Sequence, residues 1–96
     1  MRITYDDEKR VRTLRERGLD FGRCAEIFDG TEATRQDTRG DYRETRWVTV
    51  GYLDDRLVVT VWTERDGTRR IISLRKANER EQARFGARLR SAGLPR

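Results

Sequence analysis

Between Arg46 and Arg75 the chain consists of three runs rich in β-branched and aromatic residues, separated only by Asp54-Asp55 and by Arg65-Asp66-Gly67-Thr68. Breaks this short cannot hold a crossover helix, so neighbouring runs must lie antiparallel. The Asp66-Gly67 pair is a strong hairpin signal, because a tight turn needs residues that accept positive φ. The spacing predicts a meander of strands from Arg46 to Leu53, from Arg56 or Leu57 to Thr63, and from Arg69 to Arg75. Whatever flanks this sheet must bury one of its faces.

The flanks read as helices. Ile3 and Tyr5 suit a short extended piece. Asp6 or Asp7 then caps a helix running to about Arg17, with Gly18 at its end and only Val11 and Leu14 as an apolar stripe. Asp20 caps a second helix, in which Phe21, Cys24, Ala25 and Phe28 recur on one face. Cys24 sits on that stripe and reads as core, not as a nucleophile. Residues 29 to 45 are polar, with a weak strand at Ala33 to Gln36. Asn78 opens the last helix, Glu81 completes a capping box, and Phe85, helped by Leu89, anchors it. The expected architecture is α+β: two N-terminal helices, an antiparallel sheet of three to four strands and a C-terminal helix, with one sheet face left open. With 96 residues this is a single domain, 1–96, whose residues 92–96 form a frayed tail.

Alternation along the last strand sorts its charges. Arg69, Ile71, Ser73 and Arg75 share one side, and Arg70, Ile72, Leu74 and Lys76 the other. Taking Ile72 and Leu74 as core puts Arg69, Ser73 and Arg75 on the open face. A bulge would reverse the sides, and it leaves the facing of Arg70 open.

Composition removes whole classes of chemistry. There is no histidine and one cysteine, so the usual zinc sites, Ser-His-Asp or Cys-His catalysis and an internal disulfide are excluded. A chain this short, 34% hydrophobic and 41% charged, has a thin core and no room for a deep cofactor pocket; no cofactor is expected. No apolar run approaches membrane-spanning length, and the N-terminus lacks a signal-peptide stretch, so the expected location is the cytoplasm. Residues 69 to 96 carry nine basic and two acidic groups, which accounts for the net charge of +5. Such a segment is either a solvated helix or the footprint of a polyanion-binding face. All basic residues but Lys9 and Lys76 are arginine, the side chain suited to bidentate phosphate contacts.

Several motifs fall in order along the chain. Tyr5-Asp6 is followed by Lys9; Gly18, Phe21, Ala25 and Phe28-Asp29 keep a fixed spacing; Glu44-Thr45-Arg46 precedes Gly51; and Arg70-Ile71-Ile72-Ser73-Leu74-Arg75-Lys76-Ala77 is followed by Glu81. On these residues the chain resembles the BrnT family of toxins from Tyr5 to Phe85. It departs in two places: Arg17 stands where the family has histidine, and Phe85 where it has tyrosine.

The resemblance implies a RelE-like fold and a metal-independent endoribonuclease that inhibits translation and growth. It implies as partners an RNA substrate and a BrnA-like ribbon-helix-helix antitoxin in a hetero-oligomer, with operator DNA reached only through the antitoxin and no membrane. RNA cleavage by the ribose 2′-hydroxyl needs a base, an acid and cations around the phosphate. Arginine is a poor base but a good charge stabiliser, which points to Arg46, Arg65, Arg69 and Arg75. Glu44, on the same side of an extended strand as Arg46, is the leading base, or else an ion-pair partner of Arg46 or Arg75. Lys9 is the next candidate, or a helix-surface charge beside Asp6; Lys76 and a tyrosine remain open. Arg70, Ser73 and Lys76 extend the RNA surface, and Trp62 or Trp47 can stack bases or fill the core. The missing histidine and hydroxyl favour an alternative, a catalytically weak RNA-binding or antitoxin-binding module that acts as a corepressor.

Overall fold

The computed structural model describes residues 2–28, 30 and 32–89; the expected frayed tail at 92–96 and Asp29 lie outside them. In chain order the elements are β1 (Ile3–Thr4), α1 (Asp7–Arg17), a 3-10 turn (Phe21–Arg23) leading into α2 (Cys24–Phe28), β2 (Glu32–Gln36), β3 (Trp47–Leu53), β4 (Arg56–Arg65), β5 (Thr68–Lys76) and α3 (Glu79–Glu81). α3 passes into a π-helical stretch, Gln82–Gly86, and a further turn at 87–89.

The hairpin signal is realised as read. Asp66 and Gly67 take φ of 52° and 77°, the left-handed pair that a tight strand connection requires. The sheet, however, is larger than the meander. Its order is β1-β5-β4-β3-β2, so five strands replace the expected three to four, and it is mixed: β1 runs parallel to β5, while the other pairs are antiparallel. β1 pairs only Ile3 with Arg69 and Thr4 with Arg70, too short a stretch for periodicity to reveal. The second N-terminal helix is also less regular than its apolar spacing suggests, being a 3-10 turn followed by five α-helical residues.

The expected open face is covered in the fold. Leu19, Phe21, Cys24, Ile27 and Phe28 bury one face of the sheet against Leu53, Val58, Trp62, Ile71 and Leu74. Leu89 and half-buried Phe85 pack on the other, against Val48, Val50, Leu57, Val59 and Ala77. β3 and β4 are apolar at successive positions, not alternate ones, which is the pattern of strands buried on both sides. Each fully buried large side chain, such as Phe21, Ile27 or Ile71, contributes about 1.5–3 kcal/mol.

A β-bulge overturns the side assignment made from alternation. Val61 pairs with Ser73, but Trp62 pairs with Ile71, so Ile72 has no opposite number. Ile71 and Leu74 therefore share the face under α2 although three residues apart, and Ile72 is only partly buried. The core residue is Ile71, not Ile72. Arg69 and Arg75, expected side by side, fall on opposite faces.

α1 is built by its ends. Asp6 accepts from the amides of Glu8 and Lys9, and Gly18 returns its N–H to the Leu14 carbonyl. No residue of α1 is buried, and Val11 and Leu14 are 59% and 45% exposed. Polar contacts hold the helix in place instead: Arg10 grips Asp20 at 2.8 and 3.2 Å, and Arg17 Nη1 donates to the Leu74 carbonyl at 2.9 Å. Among the described residues no helix is long and apolar enough to cross a membrane.

Candidate active site

Residues paired across antiparallel strands project from the same face, so the register decides which charges meet. Val48 and Val61 lie on the α3 face and pair with each other. Val61 pairs with Ser73, Val59 with Arg75 and Thr63 with Arg70, which brings Ser73, Arg75 and Arg70 to that face. Two residues before Val48 and two after Thr63, Arg46 and Arg65 point the same way. Arg46, Arg65, Arg70, Ser73 and Arg75 thus share this face, spread along it from the Arg65–Thr68 pair to the Val59–Arg75 pair, and Glu44 joins the Arg65 end by bonding Arg65 at 3.1–3.3 Å. The ion-pair partner of Glu44 is Arg65, not Arg46 or Arg75.

Arg75 has its own carboxylate. Both of its terminal nitrogens donate to Glu81, at 2.7 and 2.8 Å, and Glu81 also accepts from the Asn78 amide at 2.9 Å in the capping box. The hydrogen bonds from Arg75 lower the Glu81 pKa, against the opposing effect of burial. The bonds to Glu81 raise that of Arg75, while the nearby Arg39 charge lowers it. Arg39 therefore stands close to the group.

The segment between β2 and β3, the part least informative in sequence, carries the residues that sequence reasoning missed. Asp37, 3% exposed, accepts from the Arg39 guanidinium at 2.9 and 3.0 Å, from the Arg39 amide at 3.1 Å and from the Tyr42 hydroxyl at 3.2 Å. Those bonds, led by the Arg39 side chain, outweigh burial and hold the Asp37 carboxyl well below its usual range. The Tyr42 ring in turn lies under the Arg46 guanidinium at 4.2 Å. The Arg46 Nε is buried without a hydrogen-bond partner among the described residues. Glycine at position 40 lets the Tyr42 side chain approach closely: a Cβ there would stand 3.0–3.2 Å from it and would push it aside by a few tenths of an ångström. The result is a recess of about 300 Å³ bordered by Gln36, Asp37, Tyr42, Glu44 and Arg46. Arg39 and Tyr42 have no periodic signal, and nothing in the residue order marked them.

Other residues singled out in the sequence lie elsewhere. Arg69 stacks over Phe28 at 4.5 Å and over Trp62 at 4.1 Å on the α2 face. Trp62 is buried, packs against Trp47 with centroids 6.1 Å apart, and donates from Nε1 to Thr49 Oγ1 at 2.8 Å. With Arg69 and its aromatic neighbours against it, the Trp62 ring is a core element and is closed to a base. Lys76 pairs with Val58 and so shares the α2 face. Lys9 borders a cleft between α1 and β5 with Arg17, Phe21, Ile72 and Ser73, and Asp6 is bonded to backbone amides, including that of Lys9. The two residues read in the sequence as departures both have structural work: Arg17 bonds the Leu74 carbonyl of β5, and Phe85 packs on the second core with Arg84 and Arg88 over its ring.

Among the described residues no three acidic or cysteine side chains gather as a metal site. What the α3 face offers is a row of guanidinium groups, three of them each bonded to a carboxylate (Arg65 to Glu44, Arg75 to Glu81 and Arg39 to Asp37), and the Tyr42 ring under Arg46. Comparison with known families finds a match over residues 5–81 to the model of a ribonuclease toxin, BrnT, of type II toxin-antitoxin systems. A search of curated proteins gives no match.

Proposed function

The chain belongs to the BrnT family of ribonuclease toxins of type II toxin-antitoxin systems, and from that premise we propose that its α3 face is the site of a metal-independent endoribonuclease. The observation that carries this reading is the row of Arg46, Arg65, Arg70 and Arg75, with Ser73 and Glu44, along one side of the sheet. In the reaction the ribose 2′-oxygen attacks the adjacent phosphorus and the 5′-oxygen leaves, giving a cyclic phosphate and a free 5′-hydroxyl. A base takes the 2′-hydroxyl proton and an acid supplies one to the leaving oxygen. Arginine forks suit the extra charge on the pentacoordinate phosphate. Arg46, whose Nε has no bond to give up, and Arg75 are assigned this role. Arg65, Arg70 and Ser73 hold the flanking backbone, and Glu44 acts as the base. Lys9 stands as the second candidate base.

The wider reading follows from the family. The toxin acts in the cytoplasm, arrests translation and growth, and is neutralised in a hetero-oligomer by a BrnA-like ribbon-helix-helix antitoxin, through which alone the complex reaches operator DNA. The test is Glu44→Gln, which keeps size and hydrogen bonding but cannot take the proton. Cleavage of an RNA oligonucleotide should slow by a factor of about 100 or more with near-normal binding; normal cleavage by the variant removes Glu44 from the chemistry.

A specific observation favours a second reading, a catalytically weak RNA-binding or antitoxin-binding corepressor. Glu44, Asp37 and Glu81 are each already bonded to an arginine, the chain has no histidine, and Phe85 has no hydroxyl. Failure of the wild-type protein to cleave RNA, with or without ribosomes, would select it.

A further inference from the structure

On the same face as the candidate active site, but at the outer margin of the sheet, lies a groove of roughly 210 Å³ between β2 and the helix that follows β5. We infer that it receives an extended, acidic segment of the antitoxin, which joins the sheet beside β2 as a sixth strand. The inference rests on the family membership that gives this toxin a protein antitoxin.

Three features select this occupant. The sheet ends at β2, and among the described residues no strand pairs with its outer side; such an edge is a ready template for an added strand. The floor is aliphatic, made by Ala33, Val48 and Val50, and the rim is basic, made by Arg35, Arg84 and Arg88. An alternating chain matches that layout, one set of side chains entering the floor and carboxylates meeting the rim. RNA fits less well, because the floor side chains Ala33, Val48 and Val50 offer nothing to read a base edge and the hydroxyl of Thr34 is taken by Thr49. The one aromatic ring, Phe85, already has Arg84 and Arg88 over it at 5.1 and 5.4 Å. A second copy of this chain would bring the same arginines against their equals.

The groove also connects to the candidate site. Arg35 is near enough to Glu81 for its charge to help lower that pKa, and Glu81 holds Arg75.

The probe is a fluorescein-labelled octamer of alternating glutamate and valine, with an alternating lysine and valine octamer as control. Anisotropy should show binding of the acidic octamer only, weakened by about tenfold or more in Arg84→Glu/Arg88→Glu, and amide exchange should slow over residues 32–36 when it binds. Circular dichroism checks that the double variant is folded; Arg84→Gln/Arg88→Gln, a milder change, should give an intermediate loss. Binding that both variants leave unchanged, or no slowing at 32–36, overturns the assignment. So does protection of 32–36 by single-stranded RNA in place of the peptide, or a concentration-dependent dimer that protects the same residues. RNA cleavage by the free wild-type protein is measured separately, so loss of the ribonuclease reading leaves the peptide result standing, and the reverse holds as well.

Discussion

Replacing Glu81 with Gln removes one charge and almost no volume, and its two readouts should move in opposite directions. The carboxylate accepts two bonds from Arg75, at 2.7 and 2.8 Å, and one from the Asn78 amide at 2.9 Å. A sheltered bond to a charged group contributes about 1.5–3 kcal/mol, and a neutral one about 0.5–1.5 kcal/mol. The Arg75 side chain is 39% exposed, so screening brings each contact toward the range of about 0.2–1 kcal/mol measured for exposed pairs. The negative charge at the start of α3 adds about 0.3–1 kcal/mol. Together these give a loss of about 1–2 kcal/mol, which for a domain of this size lowers Tm by roughly 5–12 °C. Because the folded carboxyl has a lowered pKa, its contribution is fully present above the unfolded value and disappears as pH falls through the folded one. Parent and variant should therefore differ at neutral pH and converge in acid, once pH has fallen below the lowered pKa of the folded carboxyl. Urea unfolding followed by tryptophan fluorescence measures this. At the same time Arg75 is released from its carboxylate, and RNA binding at low salt should strengthen, with a steeper dependence on salt. A variant as stable as the parent at neutral pH, or a gap that persists in acid, would refute the reasoning.

The bulge makes a second prediction. Ile71→Ala should cost about 2–5 kcal/mol as a buried cavity and Ile72→Ala less than about 1.5 kcal/mol; urea midpoints that rank the two the other way would restore the regular strand. Cys24 makes a third: burial pushes its thiol up to about 12, so it should resist thiol reagents at mildly alkaline pH in the folded protein and react fully in urea. Rapid labelling without denaturant would show that the space under α2 is open.

What could be seen beforehand and what could not divide along physical lines. The three long strands, the Asp66-Gly67 turn and the Asn78-Glu81 cap depend on neighbours in sequence, and each forms where local chemistry puts it. β1 depends on a partner more than sixty residues away, and two residues carry no period. The covering of both sheet faces was written in the consecutive apolar residues of β4, but the hairpin pattern drew attention to only one side. At the candidate site, Arg46, Arg65, Arg70 and Arg75 were legible as residue types, and their placement on one face is a matter of register. Arg69 was separated from them by a bulge that sequence alone could name as an alternative but not locate. Asp37, Arg39 and Tyr42 owe their positions to bonds within an irregular loop, where periodicity gives no guidance. Trp62, suited by type to hold a base, is instead closed off by Thr49, Trp47 and Arg69.

The unpaired residue in β5 also sets how much the chain can change in length. Since Val61 faces Ser73 and Trp62 faces Ile71, the strand holds one residue of slack. Loss of Ile72 would return the ladder to regular pairing with Arg69 still beside Trp62 and Arg75 still beside Glu81, at the expense of the extra local twist that a bulge supplies. Loss of a second residue from the same stretch has no such reserve, because every side chain on one flank would then exchange surfaces. Over the span from the Gly67 turn to the Asn78 cap, β5 can shorten by one residue and keep both surfaces, and by two it loses one of them.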